Sequence, residues 1–152
     1  TLGAIRCGGG LRVGWDVRGG GAFEAADNVL VGQDLLVEGA IVCGKGLHVR
    51  GGITGSDSIR AAQGILCGAS VSCAMHLEAG LGIKATESIV AGGAIRAGES
   101  LRAGHDLRSG SGYGVFAGLC VQDAAWDTSA MVCAETKPER LMSGCWAGAC
   151  LV

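Results

Sequence analysis

Apolar residues recur at every sixth position from Ile5 to Tyr113. The series runs Ile5, Leu11, Val17, Phe23, Val29, Leu35, Ile41, Leu47, Ile53, Ile59 and onward in steps of six to Leu107 and Tyr113. It makes nineteen consecutive hits without an insertion, each of them aliphatic or aromatic. Two residues after each hit stands a small or short side chain, such as Cys7, Val13, Ala25, Cys43, Ala61, Cys67, Cys73, Ala97 or Ser109. The residue between is variable and often charged, as in Arg6, Glu24, His48 and Lys84. Apolar, variable, small is the alternation of a short strand with one buried face. Glycine follows in most hexads, where it is expected to supply the backbone freedom of a corner.

One hexad cannot bury its own apolar face, but stacked hexads bury a continuous one. Three hexads close a triangle, so the pattern predicts an all-β fold: a triangular single-stranded β-helix of about six coils of 18 residues, with a C-terminal β cap. Residues 1–114 form the hexad-repeat solenoid, and residues 115–152 the last partial coil and a capping segment. A helix does not fit, because six-residue spacing scatters apolar positions around a 3.6-residue turn and the glycines destabilise it.

The repeat resembles the hexad-repeat β-helix proteins of bacteria over residues 5–113. In the hexapeptide acyltransferases the coil reads small, x, aliphatic, Gly, whereas Ile95-Arg96-Ala97-Gly98 reverses the two inward positions. The chain is thus more similar to bactofilin-type β-helices, and that resemblance implies a self-assembling structural scaffold.

Adding 18 to a residue number finds its neighbour in the next coil. One outward ladder is then Arg6, Glu24, Val42, Arg60, Glu78, Arg96, whose Arg60, Glu78 and Arg96 alternate in sign and suit cross-strand pairing. Another is Arg12, Leu30, His48, Leu66, Lys84, Arg102, and the third is Arg18, Leu36, Thr54, Ser72, Val90, Arg108. Arg96, Arg102 and Arg108 fall on three different faces, so they form no single basic track. Leu30, His48 and Leu66 stack in adjacent coils, with Leu36 one face round, and this apolar patch is the first candidate contact surface for a partner. Only Thr54 offers an outward threonine, which excludes an ice-binding face.

A short segment at Ser111-Gly112-Tyr113-Gly114 breaks the rhythm, which resumes out of phase at Val115-Phe116-Ala117-Gly118. Beyond it, segments 128–135 and 141–152 each read as an extended strand, with Lys137-Pro138-Glu139-Arg140 as the turn between them. Trp126 and Trp146 are expected either to cap the open end of the solenoid or to join the partner-binding surface. At the other end Ile5 opens the repeat almost at once: either a segment precedes it, or the first coil presents an open edge suited to self-association.

Composition removes several functions. The net charge of -2 and pI near 5.9 give no footprint for nucleic acid. No run approaches 18 apolar residues, so no transmembrane helix is expected. Cys7, Cys43, Cys67 and Cys73 fill the small inward slot as free thiols, with a Cys67–Cys73 bridge possible but not required, which points to a reducing, cytoplasmic setting. Cys120, Cys133, Cys145 and Cys150 show no zinc-ligand spacing, so no metal or cofactor is expected. No loop interrupts residues 5–113, His48 faces outward on a strand, His76 and His105 fall at different corners, and the corner carboxylates Glu87, Glu99 and Asp106 have no evident partner, so no catalytic residue is expected. The expected partner is another protein, with neutralisation of a bacterial toxin by an inhibitor or immunity protein as the specific form.

Overall fold

The computed structural model describes residues 4–121 and 123–149. Three-residue strands recur at six-residue steps, from β1 (Ile5–Cys7), β2 (Leu11–Val13) and β3 (Val17–Gly19) to β17 (Leu101–Ala103) and the two-residue β18 (Leu107–Arg108). Each pairs in parallel with the strand three places on, so that Ile59 stands between Ile41 and Leu77, and Arg60 between Val42 and Glu78. The coil is therefore 18 residues, and the strands form three sheets. The first sheet starts at β1, the second at β2 and the third at β3.

Period-two alternation sets the core. In nearly every strand from β3 to β17 the outer two residues are buried and the middle one is exposed or half-buried. Phe23, Leu35, Ile41, Leu47, Ile53, Ile59, Ile65 and Leu77 are among the fully buried side chains, and no described polar or charged residue is buried. The first coil is less enclosed, with Ile5, Cys7, Leu11 and Val13 only partly buried against the core.

The glycines act by a different physical route from the one expected. None of the solenoid glycines between Gly8 and Gly110 has positive φ. At Gly68 the constraint is close approach, since an added Cβ would run into the carbonyl of Arg50 in the coil beneath. Corner backbone is packed too tightly there for a side chain pointing that way.

Above the regular coils the chain revisits two of the sheets at unequal intervals. Strand β19 (Val115–Phe116) extends the first sheet, with Val115 above Ile95, and β20 (Met131–Cys133) extends the second. Strands β21 (Leu141–Ser143) and β22 (Cys145–Gly148) add a further rung to each. Two sheets thus have eight strands and the third has six. That raises the coil count to about eight.

Three expectations for this region change. Tyr113, the nineteenth hit, is exposed, and Val115 takes the core place instead. Residues 126–129 form a short helix, α1 (Trp126–Ser129), so only part of 128–135 is strand. Residues 137–140 make no hairpin, because β20 and β21 belong to different sheets. The chain instead passes the end of the third sheet and returns to the first, where the Val115 amide donates to the Arg140 carbonyl at 2.8 Å. Gly144, with φ 124, turns the chain from β21 to β22 in a single residue, a conformation that side-chain-bearing residues rarely adopt.

Candidate protein-binding groove

Leu30, His48 and Leu66 occupy facing positions on consecutive strands of the second sheet, with Lys84 and Arg102 on the next two. They line one side of a groove of about 630 Å³. Its other side is the corner leading into that sheet, where Gly46, Gly64 and Gly82 stand in successive coils. Their missing side chains open the groove along the stack, and Asn28 and Ser100 lie at its two ends. Leu66 is 41% exposed, a large apolar side chain facing water on an otherwise regular sheet.

The remaining candidate contacts lie elsewhere. Leu36 is exposed on the third sheet, beside Thr54 and Leu35, in a smaller and separate depression. Trp146 is in β22 opposite Val132 and packs against the core, so its ring covers the interior at the upper end of the second sheet. Trp126, in α1, lies where a Cβ added at Gly118 would strike its ring. Neither tryptophan lines the groove. Trp15, which the repeat leaves at a corner, is the most exposed of the large apolar residues at 73%. A corner position in the 18-residue ladder is the signal that marks it.

Corner polar residues turn out to have structural partners. The Gly52 amide donates to Asp34 Oδ1 at 2.7 Å, and the Asp34 amide to Asp16 Oδ1 at 3.0 Å. Asn28 Oδ1 accepts from the Gly46 amide at 3.0 Å in the same way. His76 Nδ1 accepts from the Ala94 amide at 3.0 Å, and its ring meets Tyr113 edge-on at 5.4 Å. Each side chain caps the backbone one coil above it. Glu87 accepts from the Ser70 hydroxyl, Asp106 pairs with Arg108 and His105 lies 3.2 Å from Glu135, so these groups are engaged within the scaffold. The expectation that Glu87 and Asp106 lack partners is therefore corrected.

The inward cysteines are free, including Cys67 and Cys73. Their thiols point at corner carbonyls: Cys43 Sγ lies 3.1 Å from the Gly46 oxygen and Cys67 Sγ 2.9 Å from that of Gly51. Burial pushes the thiols of Cys43, Cys67 and Cys73 above the ordinary cysteine value, that of Cys73 to about 11. Such groups are poor nucleophiles. Above the regular coils the pattern differs, since Cys133 is disulfide-bonded.

A second concavity, of about 550 Å³, lies where the third sheet stops. It is polar, lined by Arg108, Tyr113, Lys137 and Arg140 among others. No described helix is long and apolar enough to cross a membrane. No protein-family model, curated protein or solved structure matches the chain.

Proposed function

We propose that this chain is a non-catalytic protein-binding β-solenoid whose contact surface is the groove along Leu30, His48 and Leu66. The observation that carries this reading is the groove itself: half-buried Leu30 and exposed Leu66, on either side of His48, beside a corner left bare by Gly46, Gly64 and Gly82. Exposed apolar side chains concentrated on one concave strip mark interaction surfaces more often than chance scatter does. The uninterrupted three-residue corners from Ile5 to Arg108 leave little room for the loops on which active sites usually sit. A small inhibitor or immunity protein that occludes a bacterial toxin is the specific form of this reading. A cytoplasmic setting draws on the free thiols of Cys43, Cys67 and Cys73, and the disulfide at Cys133 weighs against it.

The test is partner capture from the native host by the tagged chain, followed by titration with whatever is captured. Leu30→Glu and Leu66→Glu should each abolish the interaction, while Leu36→Glu on another face should leave it intact. Undiminished binding by both groove variants would remove the groove from the interface and end this reading.

A bactofilin-like scaffold is the second reading, favoured by the unbroken stack of parallel rungs from Ile5 to Arg108. In such a scaffold the parallel sheets of one copy would continue into those of the next. Filaments in negative-stain micrographs, lost on Leu11→Glu, would support it. A monomer by light scattering over a wide concentration range would exclude it.

A further inference from the structure

The three outer faces treat their charges differently. On the first sheet each described arginine has a partner: Arg6 pairs with Glu24 at 3.1 Å, Arg60 with Glu78 at 2.9 Å, and Arg96 stands over the Phe116 ring at 5.6 Å. On the third sheet Arg108 pairs with Asp106 at 3.2 Å. The second sheet presents Arg12, His48, Lys84 and Arg102 on its outward ladder and no carboxylate at all. Among the described residues the side chains of Lys84 and Arg102 have no hydrogen-bond or ion-pair partner. They face each other directly on adjacent strands, both half-buried. Like charges placed opposite one another destabilise a sheet. The groove therefore has an apolar end at Leu30 and Leu66 and an uncompensated cationic end at Lys84 and Arg102, with no acid among its lining residues.

We infer that this groove takes an acidic, amphipathic segment of a partner protein, with apolar side chains over Leu30 and Leu66 and carboxylates over Lys84 and Arg102. This rests on the protein-binding reading of the same groove and adds the chemistry of the partner. Rungs lie roughly 4.8 Å apart, so Leu30 to Arg102 spans about 19 Å, a length that suits a peptide segment. The groove is an open trough on a sheet face, whereas small-molecule sites enclose most of their ligand. A nucleic-acid strand would need cations all along its track, and Leu30 and Leu66 interrupt this one. Opposite charge at the cationic end would relieve the Lys84–Arg102 repulsion and set the direction in which the segment lies.

The probe is a fluorescein-labelled, amide-capped 14-residue peptide with leucines in its first half and glutamates in its second. Its counterpart carries lysines in place of the glutamates. Fluorescence anisotropy against the whole chain should show binding of the glutamate peptide only, at least tenfold tighter than its counterpart and weakened by salt. Lys84→Glu/Arg102→Glu should reverse that preference, and Lys84→Gln/Arg102→Gln should erase it, with circular dichroism unchanged for both. If both peptides bind alike and both depend on Leu66, the groove binds protein but the inferred charge preference is wrong. If neither peptide binds, or if oligo(dT) or myristate binds there instead, the inference fails. The capture experiment with Leu30→Glu and Leu66→Glu then decides separately whether the groove contacts a protein at all.

Discussion

Between Ile5 and Arg108 each rung lies eighteen residues above the one beneath it, whereas the same first sheet needs twenty residues to pass from Ile95 to Val115 and twenty-six more to reach Leu141. The two regions share sheets and strand direction, and they differ in how the chain returns to them. In the regular coils every corner is three residues long, so each inward position repeats and each thiol or methyl lands in the same slot. Above them, a short helix, a buried proline and single glycines with positive φ replace the repeated corner. Repetition lets one hexad stabilise its neighbours. The upper coils instead depend on individual contacts such as Trp146 against the core.

The sharpest separation of the two regions should be thiol chemistry. Cys43, Cys67 and Cys73 are buried, while Cys120 is exposed. A rise of the Cys73 pKa from 9.0 to about 11 cuts its thiolate fraction at neutral pH about a hundredfold, and burial excludes the reagent besides. Iodoacetamide should label exposed Cys120 readily and buried Cys43, Cys67 and Cys73 orders of magnitude more slowly, until urea unfolds the chain. Fast labelling of Cys73 under native conditions would show that the coils open locally. Because Cys73 ionises less readily folded than unfolded, its contribution to stability is fully present below about pH 9 and is lost as pH rises through about 11.

Core truncation comes next in size. Ile59 is fully buried between Ile41 and Leu77, so Ile59→Ala should cost about 2–5 kcal/mol in urea denaturation. Leu141 packs on the core but is only partly buried, and Leu141→Ala should cost less, about 1–2 kcal/mol. Equal losses would mean that the upper coils are as tightly closed as the repeat.

How much of this was legible follows the same division. The alignment of Ile59 with Ile41 and Leu77 was readable because an unbroken hexad leaves one register that turns the first residue of each strand into the core. The break at Ser111-Gly112-Tyr113-Gly114 and the resumption at Val115 were legible as a lost phase, but Tyr113 still satisfied the six-residue count, and only packing shows that it is exposed while Val115 stands above Ile95. The pairing of β22 with β20 was hidden for a similar reason: only tertiary packing decides which sheet a lone strand joins. The groove was half visible. Leu30, His48 and Leu66 emerged from the 18-residue ladder, but the trough comes from Gly46, Gly64 and Gly82, whose role depends on what is absent beside the sheet. Lys84 and Arg102 were present in the ladder, and a charge balance drawn up face by face is the step that singles them out.

The corner caps offer a smaller test of the regular coils alone. Asp34→Ala removes the acceptor of the Gly52 amide at an exposed corner, and the loss should be about 1 kcal/mol. Asp34→Asn keeps an acceptor oxygen in place and should recover most of it. If both variants cost the same, the effect belongs to the carboxylate charge and the ladder of side-chain acceptors is incidental.

The smallest effect carries a sign that separates the two charged faces. Arg60 donates to Glu78 Oε2 through both Nε at 3.1 Å and Nη2 at 2.9 Å, but its side chain is 68% exposed, so solvent screens the pair. Arg60→Ala should therefore cost only about 0.2–1 kcal/mol. Arg102→Ala on the second sheet should go the other way, with a gain of a few tenths of a kcal/mol, because it relieves the direct opposition to Lys84. Both changes should shrink in 1 M salt, where the Debye length falls to about 3 Å. A loss at Arg102 as large as that at Arg60 would mean that its aliphatic stem, rather than its charge, is what the groove retains.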